Sequence, residues 1–407
     1  MTRPEPRSLL EHHRPDYAGG GIVNLMSTLI AARGGQPETP TLTALPPARL
    51  ADTRNLVLLV IDGLGADWLR RHAPEGLLAR HHIATLSTVF PATTAAAITT
   101  YLTGDAPLRH GLTGWHTYLR ELGCVMAVLP GTPRYGGVSY ARAGIDPARL
   151  FGTRPVFDRI ATRSSVIAPQ FIIDSDFNRA HSGQAERLGF QGLDDMFGQA
   201  ARVIRAAPWR PGRRRHDTAP RYLYLYWPRL DTIGHQQGIE SAAAVGHLAQ
   251  IEAALARFLE QITGTDTQVL VCADHGQVDS TPETRVDLDD HPELAECLAL
   301  PLCGEPRAAF CYLRPGRERQ FLDYCEAHLA ERVEVVPSNR LIELGMFGSG
   351  ERNPRLAERI GDYCLLARDN AIVVDRLPNE RPHPVVGVHG GLSRAELEVP
   401  LALLRPD

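Results

Sequence analysis

Lysine is absent from this chain of 407 residues, so all 43 of its basic side chains are arginine. Arginine suits bidentate recognition of anions, but an arginine-biased genome composition accounts for the same skew without any function. Cysteine is sparse: Cys124, Cys272, Cys297, Cys303, Cys311, Cys325 and Cys364 are scattered, odd in number and without a C-x-x-C pair. That argues against a disulfide framework and fits a reducing compartment. The formal charge of −4 is small for this length and does not indicate a general nucleic-acid-binding surface, leaving only a local patch open. No apolar stretch reaches the length of a membrane span, and MTRPEPRSLLEHHRPDY has no apolar h-region, so a cytosolic protein is expected. Repeats at solenoid periods are also lacking. The length predicts a core with an inserted subdomain rather than one compact unit.

What the chain does have is three hydrophobic segments that each run into acids or an acid/His pair. LVLLVIDGLG reaches Asp62, YLYLYWPRLDTIGH carries Asp231 and His235, and VLVCADHG carries Asp274 and His275. A fourth piece, VVGVHGG, adds His389 near the C-terminus. The first three read as buried strands of an α/β protein, which present ligands and substrates at their carboxyl ends. Carboxylates and imidazoles gathered there from distant sequence form a donor set for divalent metal ions.

Along the chain, residues 1–50 hold one amphipathic helix, IVNLMSTLIAAR, and a linker, PETPTLTALPPARL, into the first strand at 56–61. Ala95 to Leu102 is predicted helical, with Pro91 upstream and Gly104 as its stop. Residues 155–163 and DDMFGQAARVIRAAP read as helices and SVIA as a short strand. WRPGRRRHDTAPR reads as a solvated basic loop into the strand 221–227. A long Ala/Leu helix, SAAAVGHLAQIEAALARFLEQI, precedes the strand 268–273. The predicted catalytic core comprises 51–285 and 369–407. Residues 286–368, with RAAFCYLRP, ERQFLDYCEAHLAER and VEVVPS as β-α-β, are an inserted α+β subdomain that would roof the site.

Taken singly, these residues have plainer uses. A strand-terminal Asp such as Asp62 also serves as a helix cap, an isolated D-x-x-x-H arises by chance, and a lone His389 can be structural. Asp231 and His235 are four apart, so one helical turn aims both at a single point. Asp274 and His275 are adjacent and converge only at an irregular strand end. Thr93 and Thr94 begin a helix whose free N–H groups and dipole favour negative charge. Either hydroxyl is a candidate nucleophile if a metal lowers its pKa, and spacing alone does not choose between them. Two divalent ions bring about +4 and the three Asp about −3, which leaves charge for a phosphoryl anion.

Taken together, VIDGLG, FPATTAAAITTYLTGDAPLRHG, LDTIGHQQG, ADHG and VHGGLS resemble the alkaline phosphatase superfamily, within it the nucleotide pyrophosphatase/phosphodiesterase branch, over residues 56 to 393. The resemblance implies a mostly parallel central sheet flanked by helices. It also implies a nucleophilic Thr ten residues before Gly104, which is Thr94. It implies two zinc ions, with Mn²⁺ or Fe as substitutes. One would be held by Asp231, His235 and His389, the other by Asp62, Asp274, His275 and the Thr94 oxygen. The implied reaction is in-line attack by Thr94 on a small nucleotide-like phosphodiester, giving a phosphothreonine that water hydrolyses.

Two stretches depart from that pattern. Ala95, Ala96 and Ala97 replace the family's usual F-P-N-H-like stretch after the nucleophile. The downstream Asn that binds a phosphate oxygen falls near Trp115, beside His116. Oxyanion stabilisation then comes from His116, from a backbone N–H or not at all, and Trp115 either stacks on a substrate ring or packs. Thr94-Ala95-Ala96-Ala97 is not a sulfatase C/S-x-P-x-R motif. The alternatives are a phosphomonoesterase or phosphonate hydrolase, for which Arg109 and Arg142 are candidate charge donors, and a catalytically silent metal-binding domain.

Overall fold

In the segment Asn55–Ile61 (β1) every residue is apolar except the first, and all seven are buried. A strand without a polar face must be covered on both sides, which places it inside a parallel sheet. The computed structural model describes residues 8–206, 219–378, 380 and 386–406. In it, β1 is joined in one sheet by β2 (His82–Ser87), β3 (Arg163–Pro169), β4 (Glu186–Phe190), β5 (Arg221–Trp227), β6 (Thr267–Cys272) and β7 (Glu398–Leu404), in the order β2-β7-β6-β1-β5-β3-β4. β1 runs parallel to β5 and β6, and β3 parallel to β5 and β4. Only β7 runs antiparallel to its neighbours β6 and β2. The carboxyl ends of β1, β5 and β6 therefore lie side by side.

Helices cover the sheet. The expected N-terminal helix is α1 (Ile22–Ala32), and it packs on α2 (Thr94–Thr103). All ten residues of α2 are buried, and Gly104 ends it in the left-handed region (φ 77°), its N–H bonded to the Thr100 carbonyl. The next covering helix, α3 (Leu193–Arg205), buries Met196, Phe197, Ala200, Ala201 and Ile204 at helical spacing. After β5 come α4 (Arg229–Gln237) and the long α5 (Ala242–Gln261). The helix expected over 155–163 is reduced to one 3₁₀ turn, Val156–Asp158. Its continuation is diverted because the Ala161 N–H and the Thr162 hydroxyl both bond the Arg33 carbonyl before β3 begins. Most of the expected basic loop lies outside the described residues.

A second sheet, antiparallel throughout, orders its strands Val333–Pro337, Tyr363–Ala367, Ala308–Cys311, Cys303–Glu305, His116–Leu119, Cys124–Ala127 and Thr132–Pro133. Four of these strands come from the segment 286–368 and three from 116–133, joined where Gly304 pairs with His116. Arg307, 1% exposed, ties this sheet to the C-terminal segment. Its Nε and Nη2 reach the two Glu396 carboxylate oxygens at 3.1 and 2.9 Å. Glu396 in turn accepts from the Gly391 N–H at 2.7 Å and the Ser393 hydroxyl at 2.6 Å, which shapes the turn following His389.

Candidate active site

The carboxyl ends of β1, β5 and β6 bring five of the seven candidate ligands together, the turn before Glu396 adds His389, and the start of α2 adds Thr94. Asp62 extends β1 by one bond, its N–H to the Trp227 carbonyl at 3.0 Å. Gly63 (φ 78°) then lets the chain pass α4, because a Cβ there would lie 3.1 Å from the Asp231 Cα. Asp231 and His235 sit one turn apart on α4, with His235 Nε2 3.2 Å from Asp231 Oδ2. Asp274 and His275 follow β6, where Asp274 Oδ1 accepts from the N–H groups of Gly63 (3.1 Å) and His275 (2.9 Å). Those two bonds form the irregular strand end that turns both side chains inward.

Two buried carboxylate oxygens, Asp62 Oδ1 and Asp274 Oδ2, have no hydrogen-bond partner among the described residues. Each lies 3.4 Å from His275 Nε2. Unpaired carboxylate oxygens in a dry interior are costly unless a cation takes them. Two groups of three donors, Asp62/Asp274/His275 and Asp231/His275/His389, each have their ligand atoms within 4.8 Å of one another. This carboxylate/imidazole chemistry fits divalent metal ions. His275 belongs to both groups, whereas the sequence reading placed it with Asp62 and Asp274 alone. Its ring stacks on His389 at 3.7 Å, and His235 lies 5.2 Å from His389.

All three imidazoles are held alike. The Nδ1 atoms of His235, His275 and His389 contact the carbonyls of Gly387 (2.7 Å), Gly276 (3.0 Å) and Ala92 (3.0 Å). A carbonyl only accepts, so each Nδ1 carries a hydrogen, which leaves Nε2 of the neutral ring to present a lone pair. This is the arrangement by which metal-binding histidines are oriented. Carboxylates are steadied too: the Tyr226 hydroxyl donates to Asp62 Oδ2, and the Gln277 amide donates to Asp231 Oδ1.

Electrostatics of the metal-free site show what it needs. Burial, then the charges of Asp274 and Asp231, push the Asp62 carboxyl well above its ordinary value. Burial raises Asp274 as well. Burial would also raise Asp231, but His235, His389 and His275 outweigh it and hold that carboxyl low. His235, despite burial, is lifted to about 9 by Asp231. Burial and the neighbouring His275 press His389 well down, which suits a neutral ligand.

The structure separates the two threonines. Thr93 is the N-cap residue of α2 by backbone, yet its hydroxyl donates to Glu305 Oε1 at 2.5 Å rather than to the helix. Thr94 opens α2, and its Oγ1 lies 3.1 Å from His275 Nε2. Trp115 is 40% exposed, while its backbone N–H donates to Glu305 Oε1 at 2.6 Å. His116 is pressed down to about 3 by burial and by Arg134. Among the described residues it makes no hydrogen bond to Thr94 or to a candidate ligand. Arg109 is paired with Glu38 and Asp105, and Arg142 is exposed on a 3₁₀ turn. Neither makes an ion pair with any of the seven candidate residues.

A family model described as type I phosphodiesterase / nucleotide pyrophosphatase matches residues 56–391. The chain belongs to that family. It is a metal-dependent phosphoric ester hydrolase with the alkaline phosphatase fold. Murine ectonucleotide pyrophosphatase / phosphodiesterase 5, in an inactive form in complex with AMP, is similar at a TM-score of 0.63 and 14% identity, over 85% of this chain and 87% of that one. The human ectonucleotide pyrophosphatase / phosphodiesterase 5 gives a TM-score of 0.62 and 13% identity, over 86% and 88%. At such identities the likeness is one of fold. No curated protein matches the sequence.

Sequence reasoning missed three residues of this phosphodiesterase-family site. Gln277 directly follows the ADHG motif and Tyr226 precedes the turn into α4, so proximity to motifs was a usable signal for both. Glu305 gave none, because it arrives from the second sheet.

Proposed function

We propose that this chain is a two-zinc phosphodiesterase acting on small nucleotide-like diesters through a phosphothreonine at Thr94. The observation that carries the reading is the Thr94 hydroxyl, 3.1 Å from the imidazole that both donor groups share, at the start of a buried helix. Asp62, Asp274, His275 and the Thr94 oxygen would hold one ion, and Asp231, His235 and His389 the other, with His275 at their boundary. Bound zinc supplies the charge that lowers the Thr94 hydroxyl's pKa and offsets phosphoryl charge. Three histidines among the ligands favour zinc over manganese or iron.

Thr94 Oγ1 gives its proton to water and attacks phosphorus; the Oγ1–P bond forms as the bond to the leaving alcohol or phosphate breaks, its electron pair staying on the leaving oxygen, which takes a proton from water. Water then cleaves the Oγ1–P bond and regenerates the hydroxyl. The free N–H groups at the start of α2 favour the anionic phosphoryl group there. Trp115, 40% exposed and bonded through its backbone N–H to the Glu305 oxygen that Thr93 also reaches, would stack on a base or aromatic leaving group. The AMP named with the murine relative supports a nucleotide-type ligand. Seven free cysteines support action in a reducing, cytosolic setting. A monoesterase or phosphonate hydrolase is disfavoured by the engagement of Arg109 and the exposure of Arg142, and a silent domain by the complete donor set.

The test is turnover of bis-p-nitrophenyl phosphate and p-nitrophenyl phosphate on metal-stripped protein with zinc restored. Zinc-dependent preference for the diester, lost in Thr94→Ala, is expected. Preference for the monoester, or diester turnover that survives in Thr94→Ala, would overturn the reading.

A further inference from the structure

Glu305 is a buried carboxylate bonded to Thr93, the residue before the proposed nucleophile. It is 8% exposed, and among the described residues it forms no ion pair with an arginine or histidine. Its Oε1 receives both the Thr93 hydroxyl and the Trp115 N–H, so a backbone donor beside the site is already engaged by an acid. A Cβ on Gly390 would lie 2.5 Å from the Glu305 Cβ, so the glycine next to His389 lets this side chain pass. Its position is therefore fixed from three directions: the N-cap of α2, the residue leading into the strand His116–Leu119 and the turn carrying His389. Burial raises its carboxyl to about 7, against the pull of the Thr93 and Trp115 donors and of His275 and His235 of the centre, so it is ionised at pH 9.

We propose that Glu305 sets the phosphoryl charge this site accepts, by opposing a dianionic monoester while tolerating a monoanionic diester. The proposal deepens the phosphodiesterase reading and rests on it for the location of the phosphoryl group. A buried negative charge near the binding position penalises each added unit of substrate charge, and specificity arises from repulsion of the wrong ligand as well as attraction of the right one. Glu305 is a specificity-determining residue here, since no step of the reaction passes through it.

The experiment is Glu305→Gln at pH 9, which keeps an oxygen to accept from Thr93 and Trp115. Steady-state kinetics would compare p-nitrophenyl phosphate with bis-p-nitrophenyl phosphate. Calorimetry on the zinc-loaded protein would compare inorganic phosphate with dimethyl phosphate, using equal zinc content as a control on folding. The expected result is a rise of about tenfold in the monoester-to-diester ratio of kcat/KM, with phosphate binding about tenfold tighter and dimethyl phosphate unchanged. An unchanged ratio with unchanged phosphate affinity, or an equal fall for both substrates and both anions, overturns the proposal. If the wild-type protein turns over neither ester, the phosphodiesterase reading fails, and the phosphate titration alone still decides the role of Glu305.

Discussion

Replacing Asp62 with asparagine should have opposite effects on stability with and without metal. In the metal-free protein Asp62 Oδ1 and Asp274 Oδ2 are buried and unpartnered, and the two residues offer carboxylate oxygens within 4.8 Å of each other. Two full charges at that separation repel by roughly 3–4 kcal/mol at an effective dielectric near 20. Protonation of Asp62 relieves part of this, as its raised pKa shows. An acid raised on folding binds its proton more tightly in the folded state. Its contribution is thus present at low pH and is lost as pH rises from the ordinary aspartate range through the folded value. In Asp62→Asn the amide oxygen still accepts from Tyr226, and the NH₂ group faces Asp274 Oδ2 as a donor. The metal-free variant should gain on the order of 1–3 kcal/mol at neutral pH over the wild type and lose that pH slope. With zinc at about 100 times Kd the wild type gains about 2.7 kcal/mol, and the variant should gain far less. Urea denaturation with and without chelator measures both. Destabilisation of the metal-free protein by Asp62→Asn would refute a repulsive Asp62–Asp274 pair.

Gln277→Met removes the amide that orients Asp231. Zinc affinity should fall about 10–100-fold in a chelator competition, with the fold retained. Glu396→Gln leaves the Arg307 guanidinium buried without its charge partner, and should cost about 3–5 kcal/mol of stability in chemical denaturation. Burial opposes ionisation of Glu396, but Arg307 outweighs it and holds the carboxyl below its ordinary value. That stabilisation is present above the unfolded glutamate pKa and is lost as pH falls through the folded one, so the difference between variant and wild type should shrink in acid.

The strand ends were legible because burial on both faces forces continuous apolar runs, and β1, β5 and β6 appear within about a residue of their expected limits. The Asp231/His235 spacing was legible for the same kind of reason, since four residues on a helix share a face. Thr93 against Thr94 was not decidable from the residues, because both begin α2 and only tertiary contacts distinguish them. Glu305 was invisible: it meets Thr93 and Trp115 across sequence separations of 212 and 190 residues, through a strand that no local pattern connects to α2. The helix expected at 155–163 failed for a related reason, as a distant carbonyl, that of Arg33, captured its donors.

The bond between Arg307 and Glu396 makes the metal centre and the docking of the second sheet a single thermodynamic system. His389 hangs on a turn shaped by Glu396, and Glu396 is neutralised from the other sheet. Linkage runs both ways in such an arrangement. An ion that grips His389 also clamps the two sheets together, and anything that pries them apart, a denaturant or a force at their seam, releases the ion.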